Sequence, residues 1–280
     1  MRMTGPDFVV AGPPESGGTR LAAALARHPA LRLSWPDHDP RDGPSDVPGD
    51  AAEALWAETV TGLLGGSAGA PTHRQGLLAP YLLADFAAQQ RLHERVAYPR
   101  LLVALRDPVD RAYAAWARAR AAGTEPLADF VAALDAEPER ARAGCGWGPR
   151  YAELGRYGVQ LQRLYTLFSP SQVLLLRYPD LLAAPNSVTD RARAFLGVRP
   201  APSRDRWARP GALDGTRDDG TRSGGPPPEL RARVLDVFRE DVRLLESVTS
   251  RAFGAWLTAA GERAPAASPS APPGGPGAGR

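Results

Sequence analysis

A glycine-rich turn near the start of the chain has the composition of an anion-binding loop. The apolar residues 8–11 lead into Gly-Pro-Pro-Glu-Ser-Gly-Gly-Thr over residues 12–19, and a helix-forming run follows. In such a strand–turn–helix unit, backbone N–H groups and the positive end of the helix dipole both point at an anion. Glycine lets the backbone approach that anion closely. The residues predicted to line a phosphate site are Gly12, Glu15, Ser16, Gly17, Gly18 and Thr19.

The glycine spacing of this loop is that of a Walker-type motif without its lysine. A glycine stands where nucleotide-hydrolysing P-loops carry that lysine. All 34 basic residues of the chain are arginine, which excludes Schiff-base chemistry and disfavours a small-molecule kinase. For the loop taken alone, a tight turn without a ligand is the alternative interpretation.

A second apolar run ends in residues suited to binding another anionic group. Residues 101–105 are followed by Arg106-Asp107-Pro108 and then by a helix-forming stretch. Proline fits the first turn of a helix because its missing N–H group has no partner there anyway. Arg106 is the predicted ligand, and an ion pair with Asp107 or Asp110 is its alternative role.

The elements that would position these residues follow an alternating strand and helix pattern. This pattern predicts an α/β protein, with three αβα layers around a central parallel sheet. The predicted strands are 8–11, 101–105 and 173–178, and the predicted helices are 18–27, 51–64, 84–96, 109–122, 127–134, 151–168, 187–196 and 230–245. Because ligands of parallel sheets bind at the carboxyl ends of the strands, both anion motifs are expected in one crevice.

Together, the two motifs resemble those of the sulfotransferases that use 3′-phosphoadenylyl sulfate. Residues 12–19 resemble the family's 5′-phosphosulfate loop, commonly written GPPRSGTT, and residues 105–114 resemble its 3′-phosphate motif, commonly LRDPVERAYS. Further similar segments follow in the family's order at residues 157–168, 173–182, 195–197 and 230–256. The resemblance implies the P-loop-like sulfotransferase fold, 3′-phosphoadenylyl sulfate as the donor substrate, and no metal.

The chain departs from this family at several positions of the implied site. Ala114 stands where the family has a serine that binds the 3′-phosphate, and Leu77 and Leu78 stand where many members have glutamate and lysine. Glu15 replaces a lysine or arginine, and a carboxylate ~4 Å from one phosphate charge costs about 4 kcal/mol at an effective dielectric constant of ~20. Glu15 must turn to solvent, be neutralised, or exclude the donor. Arg20, in the first turn of the following helix, could pair with Glu15 or reach the anion.

Sulfuryl transfer also needs a base that takes the proton of the acceptor. The resemblance implies a base some ten residues past the His-Pro that ends the first helix, where this chain has Asp37 and His38. Histidine is a natural proton acceptor near neutral pH. Asp37, His38 and Arg20 are therefore the predicted catalytic residues, and an exposed polar loop is the alternative for the first two.

The overall composition constrains the domain organisation, the partners and the localisation of the protein. The 280 residues predict one α/β domain over residues 1–258 and a disordered tail rich in Pro, Gly and Ala over residues 259–280. A net charge of +3 with scattered arginines disfavours nucleic-acid binding, and no apolar run reaches the ~18 residues of a membrane span. One cysteine and no visible secretory signal predict a cytoplasmic protein, and the residue usage is typical of a GC-rich bacterial genome.

Two functions from different classes remain open. The first is transfer of a sulfuryl group from 3′-phosphoadenylyl sulfate to a hydroxyl or amine of a small molecule or glycan. The second is a catalytically impaired protein of the same fold that binds a nucleotide, another ligand or a partner. Donor binding and turnover distinguish them. The acceptor pocket is expected from loops around residues 35–80 and 204–228, whose sequence does not identify the acceptor, and the oligomeric state is not predicted.

Overall fold

The computed structural model describes residues 5–34, 73–199 and 225–261. Its centre is a five-stranded parallel sheet with the strand order β2-β3-β1-β4-β5. The strands are β1 (Phe8–Ala11), β2 (Leu31–Ser34), β3 (Arg74–Ala79), β4 (Arg100–Leu105) and β5 (Val173–Arg177). The helices of the described ranges are α1 (Gly18–Ala26), α2 (Phe86–Arg95), α3 (Pro108–Ala121), α4 (Phe130–Asp135), α5 (Glu137–Arg142), α6 (Tyr157–Leu167), α7 (Tyr178–Ala183), α8 (Pro185–Phe195), α9 (Pro228–Val234) and α10 (Asp236–Thr249).

The predicted three-layer αβα arrangement is confirmed, because the strands contribute side chains to a separate core on each face of the sheet. Successive residues of a strand point to opposite faces of the sheet. Val9 and Val103 join a core with helices α2, α3, α6 and α10, whereas Val10 and Leu102 join a second core with α1, α7 and α8. All four side chains are fully buried, as expected for a parallel sheet covered on both faces.

Strands β2 and β3 were not among the strands predicted from the sequence. At Gly76 in β3, an added Cβ would lie 2.2 Å from the fully buried Phe8 ring of β1, so a larger residue would have to displace that ring. The next residues, Leu77 and Leu78, are buried in the two different cores. These two leucines therefore serve packing, and neither side chain offers a polar group to a ligand.

Two predicted helices have different bounds in the structure. The predicted helix 151–168 is the helix α6 preceded by a short 3-10 turn at Glu153–Gly155. The carboxylate of Asp241, in α10, accepts hydrogen bonds from Gly158 N (2.8 Å) and Val159 N (3.0 Å) and so caps the first turn of α6. The predicted helix 230–245 is divided between α9 and α10.

The chain connections place a crevice between β1 and β4. These strands are neighbours, yet the helix after β1 packs on one face of the sheet and the helix after β4 packs on the other. The two connections therefore diverge at the carboxyl ends of the strands, which is where open α/β sheets bind ligands. Both predicted anion motifs follow these two strands. The predicted helix 51–64, the predicted bases Asp37 and His38, and nearly all of the tail lie outside the described residues.

Candidate anion-binding site

The glycine-rich loop turns sharply between β1 and α1. Gly12 has a φ angle of 114° and Gly17 has 90°, values that favour glycine. At Gly12, an added Cβ would lie 2.2 Å from the carbonyl oxygen of Ala104 in β4, so the loop crosses directly over the neighbouring strand. No side chain caps the N-terminus of α1 at Gly17. The first N–H groups of α1, over Gly18 and Thr19, are therefore available to an anion.

Ser16 occupies the middle of the loop but turns its side chain inward. The residue is fully buried, and neither its hydroxyl nor that of the buried Tyr157 has a hydrogen-bond partner of good geometry among the described residues. Burial raises the pKa of Tyr157 to about 12, although Arg111 and the nearby Ser16 hydroxyl act to lower it. The Ser16 side chain thus belongs to a buried polar cluster behind the loop, which was not predicted.

Arg106 joins the two predicted motifs. It follows β4, and its Nη1 donates a hydrogen bond to the carbonyl oxygen of Glu15 over 3.2 Å. Its guanidinium also lies over the Tyr178 ring, 4.7 Å from the ring centroid. The structure therefore brings Arg106 and the glycine-rich loop together at the crevice between β1 and β4.

The carboxylate of Glu15 is neutralised by an arginine of α3. Arg118 Nε lies 2.7 Å from Glu15 Oε1, and the two side chains are 29% and 22% exposed. Arg20, the predicted partner, lies partly buried on α1, but the ion pair of Glu15 is formed with Arg118. No local pattern signals this pairing, because the two residues are far apart in sequence.

Arg111 places a second positive charge behind the loop. It is fully buried, and its Nη2 donates to the carbonyl oxygen of Tyr151. Its Nε and Nη1 have no hydrogen-bond partner among the described residues. Burial lowers the pKa of Arg111, while Tyr157, Glu137 and Glu15 act to raise it. A buried guanidinium with incomplete pairing makes the crevice favourable for an anion.

The start of α3 is fixed by a buried ion-pair network that sequence analysis did not identify. Asp107 Oδ1 accepts from Val109 N over 3.0 Å and caps the helix. Arg231, in α9, forms ion pairs with Asp107 (2.5 Å) and Asp110 (2.8 Å). Burial and the charge of Asp107 raise the pKa of Asp110 to about 6. This network holds the helix that follows Arg106 and supplies Arg111 and Arg118.

The remaining predicted ligand, Ala114, is nearly buried on α3 and carries only a methyl group. In residues 5–34, 73–199 and 225–261, no group of three His, Cys, Asp or Glu side chains could hold a metal ion. Within the same ranges, no helix has the length and apolar character to cross a bilayer.

Comparison with solved structures identifies the fold as that of the sulfotransferases. A sulfotransferase from Alicyclobacillus acidocaldarius superimposes with a TM-score of 0.70 at 25% sequence identity, over 90% of this chain and 98% of that chain. The mouse sulfotransferase SULT7A1, solved in complex with PAP, superimposes with a TM-score of 0.53 at 16% identity, over 88% of this chain and 89% of that chain. No protein-family model matches the sequence, and no curated protein matches it.

Proposed function

We propose that the chain is a sulfotransferase that uses 3′-phosphoadenylyl sulfate as donor and a hydroxyl or amine of a small molecule or glycan as acceptor. The observation that carries this proposal is the contact of Arg106 with the Glu15 carbonyl oxygen. It joins the two anion motifs at the point where this sheet would bind a ligand. The fold shared with a bacterial sulfotransferase, and the PAP complex of a mouse one, support the same donor.

The residues present fit such a donor. The N-terminus of α1 and the backbone of residues 17–19 would hold the 5′ phosphate group, because their N–H groups lack a side-chain cap. Arg106 would hold the 3′-phosphate. The fully buried Arg111 adds positive charge behind the loop. When bound, the donor supplies an electrophilic sulfuryl group, and the role of the protein is positioning and charge neutralisation.

The base belongs to the proposal as well. Asp37 or His38 would accept the proton of the acceptor. Two of the described histidines have contacts of their own elsewhere in the fold. The ring of His28 accepts from Ala30 N over 3.2 Å and contacts the Arg199 carbonyl over 3.0 Å, so it closes the turn after α1. His93 packs edge-on against Phe168.

Calorimetric titration with adenosine 3′,5′-bisphosphate tests donor binding directly. Binding is expected for the full chain, and Arg106→Ala is expected to weaken it by about 1.5–3 kcal/mol, the usual worth of hydrogen bonds to a charged group. Arg142→Ala is the matched control, because Arg142 is an exposed arginine in a surface ion pair with Glu139 on α5. An absence of measurable heat at millimolar ligand would reject the proposed donor site.

A second candidate function is ligand binding without transfer. It is favoured by Leu77 and Leu78, which are buried in the two cores, and by the methyl group of Ala114. The sulfur-labelled donor separates the two functions. An enzyme moves the label to an acceptor or slowly to water, whereas a binding protein retains intact donor at full occupancy.

A further inference from the structure

We infer that Arg118 is a ligand for the anion bound at the glycine-rich loop, held in position there by Glu15. This inference rests on the proposed donor site and adds a residue that neither the motifs nor the sequence pattern assigned to it. It also gives Glu15 a constructive role as a positioning residue.

The ion pair with Glu15 engages only part of the Arg118 guanidinium. Arg118 Nε lies 2.7 Å from Glu15 Oε1, a contact between opposite charges that lacks hydrogen-bond geometry at Nε. The structure gives no other ion pair or hydrogen bond for this side chain among the described residues, and 29% of it is exposed. The guanidinium carries five N–H donors in a rigid fork. Its two terminal amino groups are therefore available to an anion while Nε remains on Glu15.

The backbone conformation of Glu15 supports its role as a positioning residue. Its φ angle is 68°, in the left-handed region that residues other than glycine rarely adopt. Such strain persists where surrounding contacts over-determine the backbone, and it concentrates at functional sites. Here the carbonyl of Glu15 is held by Arg106 at 3.2 Å and its carboxylate by Arg118 at 2.7 Å. One strained residue thus fixes two arginines, one from the end of β4 and one from α3.

Several positively charged side chains surround Glu15 at the loop. One carboxylate is set against the guanidiniums of Arg106 and Arg118, and the buried Arg111 lies near enough for Glu15 to affect its pKa. These three guanidiniums outnumber the carboxylate of Glu15, and the nearby carboxylates of Asp107 and Asp110 are paired with Arg231. An anion reaching the N-terminus of α1 would replace part of the hydration of Arg118 with a charge-assisted hydrogen bond, which is stronger than a neutral one.

A pair of variants separates an anion ligand from a residue that merely neutralises Glu15. The affinity for adenosine 3′,5′-bisphosphate is measured for the full chain, for Glu15→Gln, and for Glu15→Gln combined with Arg118→Gln. If Arg118 contacts the anion, the second substitution lowers the affinity about tenfold or more even after the carboxylate has been removed, as expected for one hydrogen bond to a charged group. Binding should also become less sensitive to salt.

The outcome that overturns the inference is equal affinity for the single and the double variant, since Arg118 would then act only on Glu15. Glu139→Gln and its combination with Arg142→Gln repeat the same charge changes at an exposed pair on α5 and should leave binding unchanged. Thermal melting of every variant shows that it is folded. Failure of the unmodified chain to bind would instead reject the proposed function, so the two failures are distinguishable.

Discussion

Glu15 combines a left-handed backbone with a charged side chain, and the structure gives both a partner. A non-glycine residue in such a conformation costs of order 1–3 kcal/mol, and its carboxylate would repel an anion at the loop. Arg106 binds the carbonyl and Arg118 pairs with the carboxylate. The charge at this position therefore has to be interpreted together with its partner on α3, which no motif includes.

Gly12 is the residue at which the loop tolerates least change. Its φ angle is 114° and an added Cβ would lie 2.2 Å from a backbone carbonyl of β4. We expect Gly12→Ala to lower the free energy of unfolding by more than about 3 kcal/mol, because a backbone atom cannot move aside cheaply. Urea denaturation measures this.

Gly123 provides the control for that substitution. Its φ angle is 74°, but an added Cβ would meet nothing within 4 Å. Gly123→Ala should therefore cost only the left-handed conformation, about 1–2 kcal/mol. Equal losses for the two variants would show that the contact with β4 is not what requires glycine in the loop.

At the scale of elements, the start of α3 depends on a side chain from α9. Arg231 is buried and pairs with Asp107 and Asp110, and it also donates to the carbonyl of Trp256 over 2.7 Å. Arg231→Met should lower the free energy of unfolding by about 3–5 kcal/mol, because it leaves buried carboxylates unpaired. Chemical denaturation measures the change.

The exposed pair of Arg239 with Asp236 on α10 is the matched control for Arg231. Arg239→Met should change stability by less than about 1 kcal/mol, as is usual for surface ion pairs. A loss below about 1 kcal/mol for Arg231→Met as well would mean that α9 does not hold the start of α3.

Glu137, at the start of α5, makes stability depend on pH. Its buried carboxylate accepts from the N–H groups of Ala152 and Glu153, and burial raises its pKa from 4.5 to about 7. The folded state thus binds the proton more tightly than the unfolded state, so stability falls as pH rises from about 4.5 to 7. Between pH 5 and pH 8, the unmodified chain should lose up to about 3 kcal/mol more than Glu137→Gln. The exposed Glu139→Gln should follow the unmodified chain, and parallel curves for all three proteins would contradict the assignment.

The elements that sequence analysis predicted well are those whose signal is local. The apolar runs at Phe8–Ala11 and Val173–Arg177 form strands covered on both faces of the sheet. A nearly continuous apolar composition is the local signal that predicts such strands. The first turn of α6 was misplaced because Asp241 caps it from α10. Strand β2 was not predicted because it has only four residues, two of them, Arg32 and Ser34, exposed.

At the scale of the whole molecule, the site exists because of strand order. The sequence predicts that the loop after β1 and Arg106 after β4 both lie at the carboxyl ends of strands. Each of these placements follows from the local sequence around the motif. The sequence does not predict that β1 and β4 are neighbours with helices on opposite faces, which requires the pairing itself. Arg118 and Arg231 were missed for the same reason, since each acts through a residue distant in sequence.

Residues near the C-terminal end of the described chain pack against Arg231 of α9. Arg231 Nε donates to the Thr258 carbonyl over 2.9 Å, and an added Cβ on Gly261 would lie 2.9 Å from the Arg231 guanidinium carbon. Thr258 and Gly261 therefore contact α9, and the boundary at 258 stays a prediction. Residues 262–280 hold many Pro, Gly, Ala and Ser and no aromatic residue. From this composition we expect the segment to bury too little apolar surface to offset an ordering entropy of about 1–2 kcal/mol per residue.

Truncation after Gly261 should accordingly leave the melting temperature within about 2 °C and the affinity for adenosine 3′,5′-bisphosphate unchanged. Truncation after Leu257 removes the Thr258 carbonyl and Gly261, so Arg231 loses a hydrogen bond and a packing contact. That variant should melt several degrees lower, by roughly 4–8 °C for a loss of about 2 kcal/mol. A comparable drop for the longer variant would mean that residues 262–280 pack onto the domain, because only those residues differ between it and the full chain.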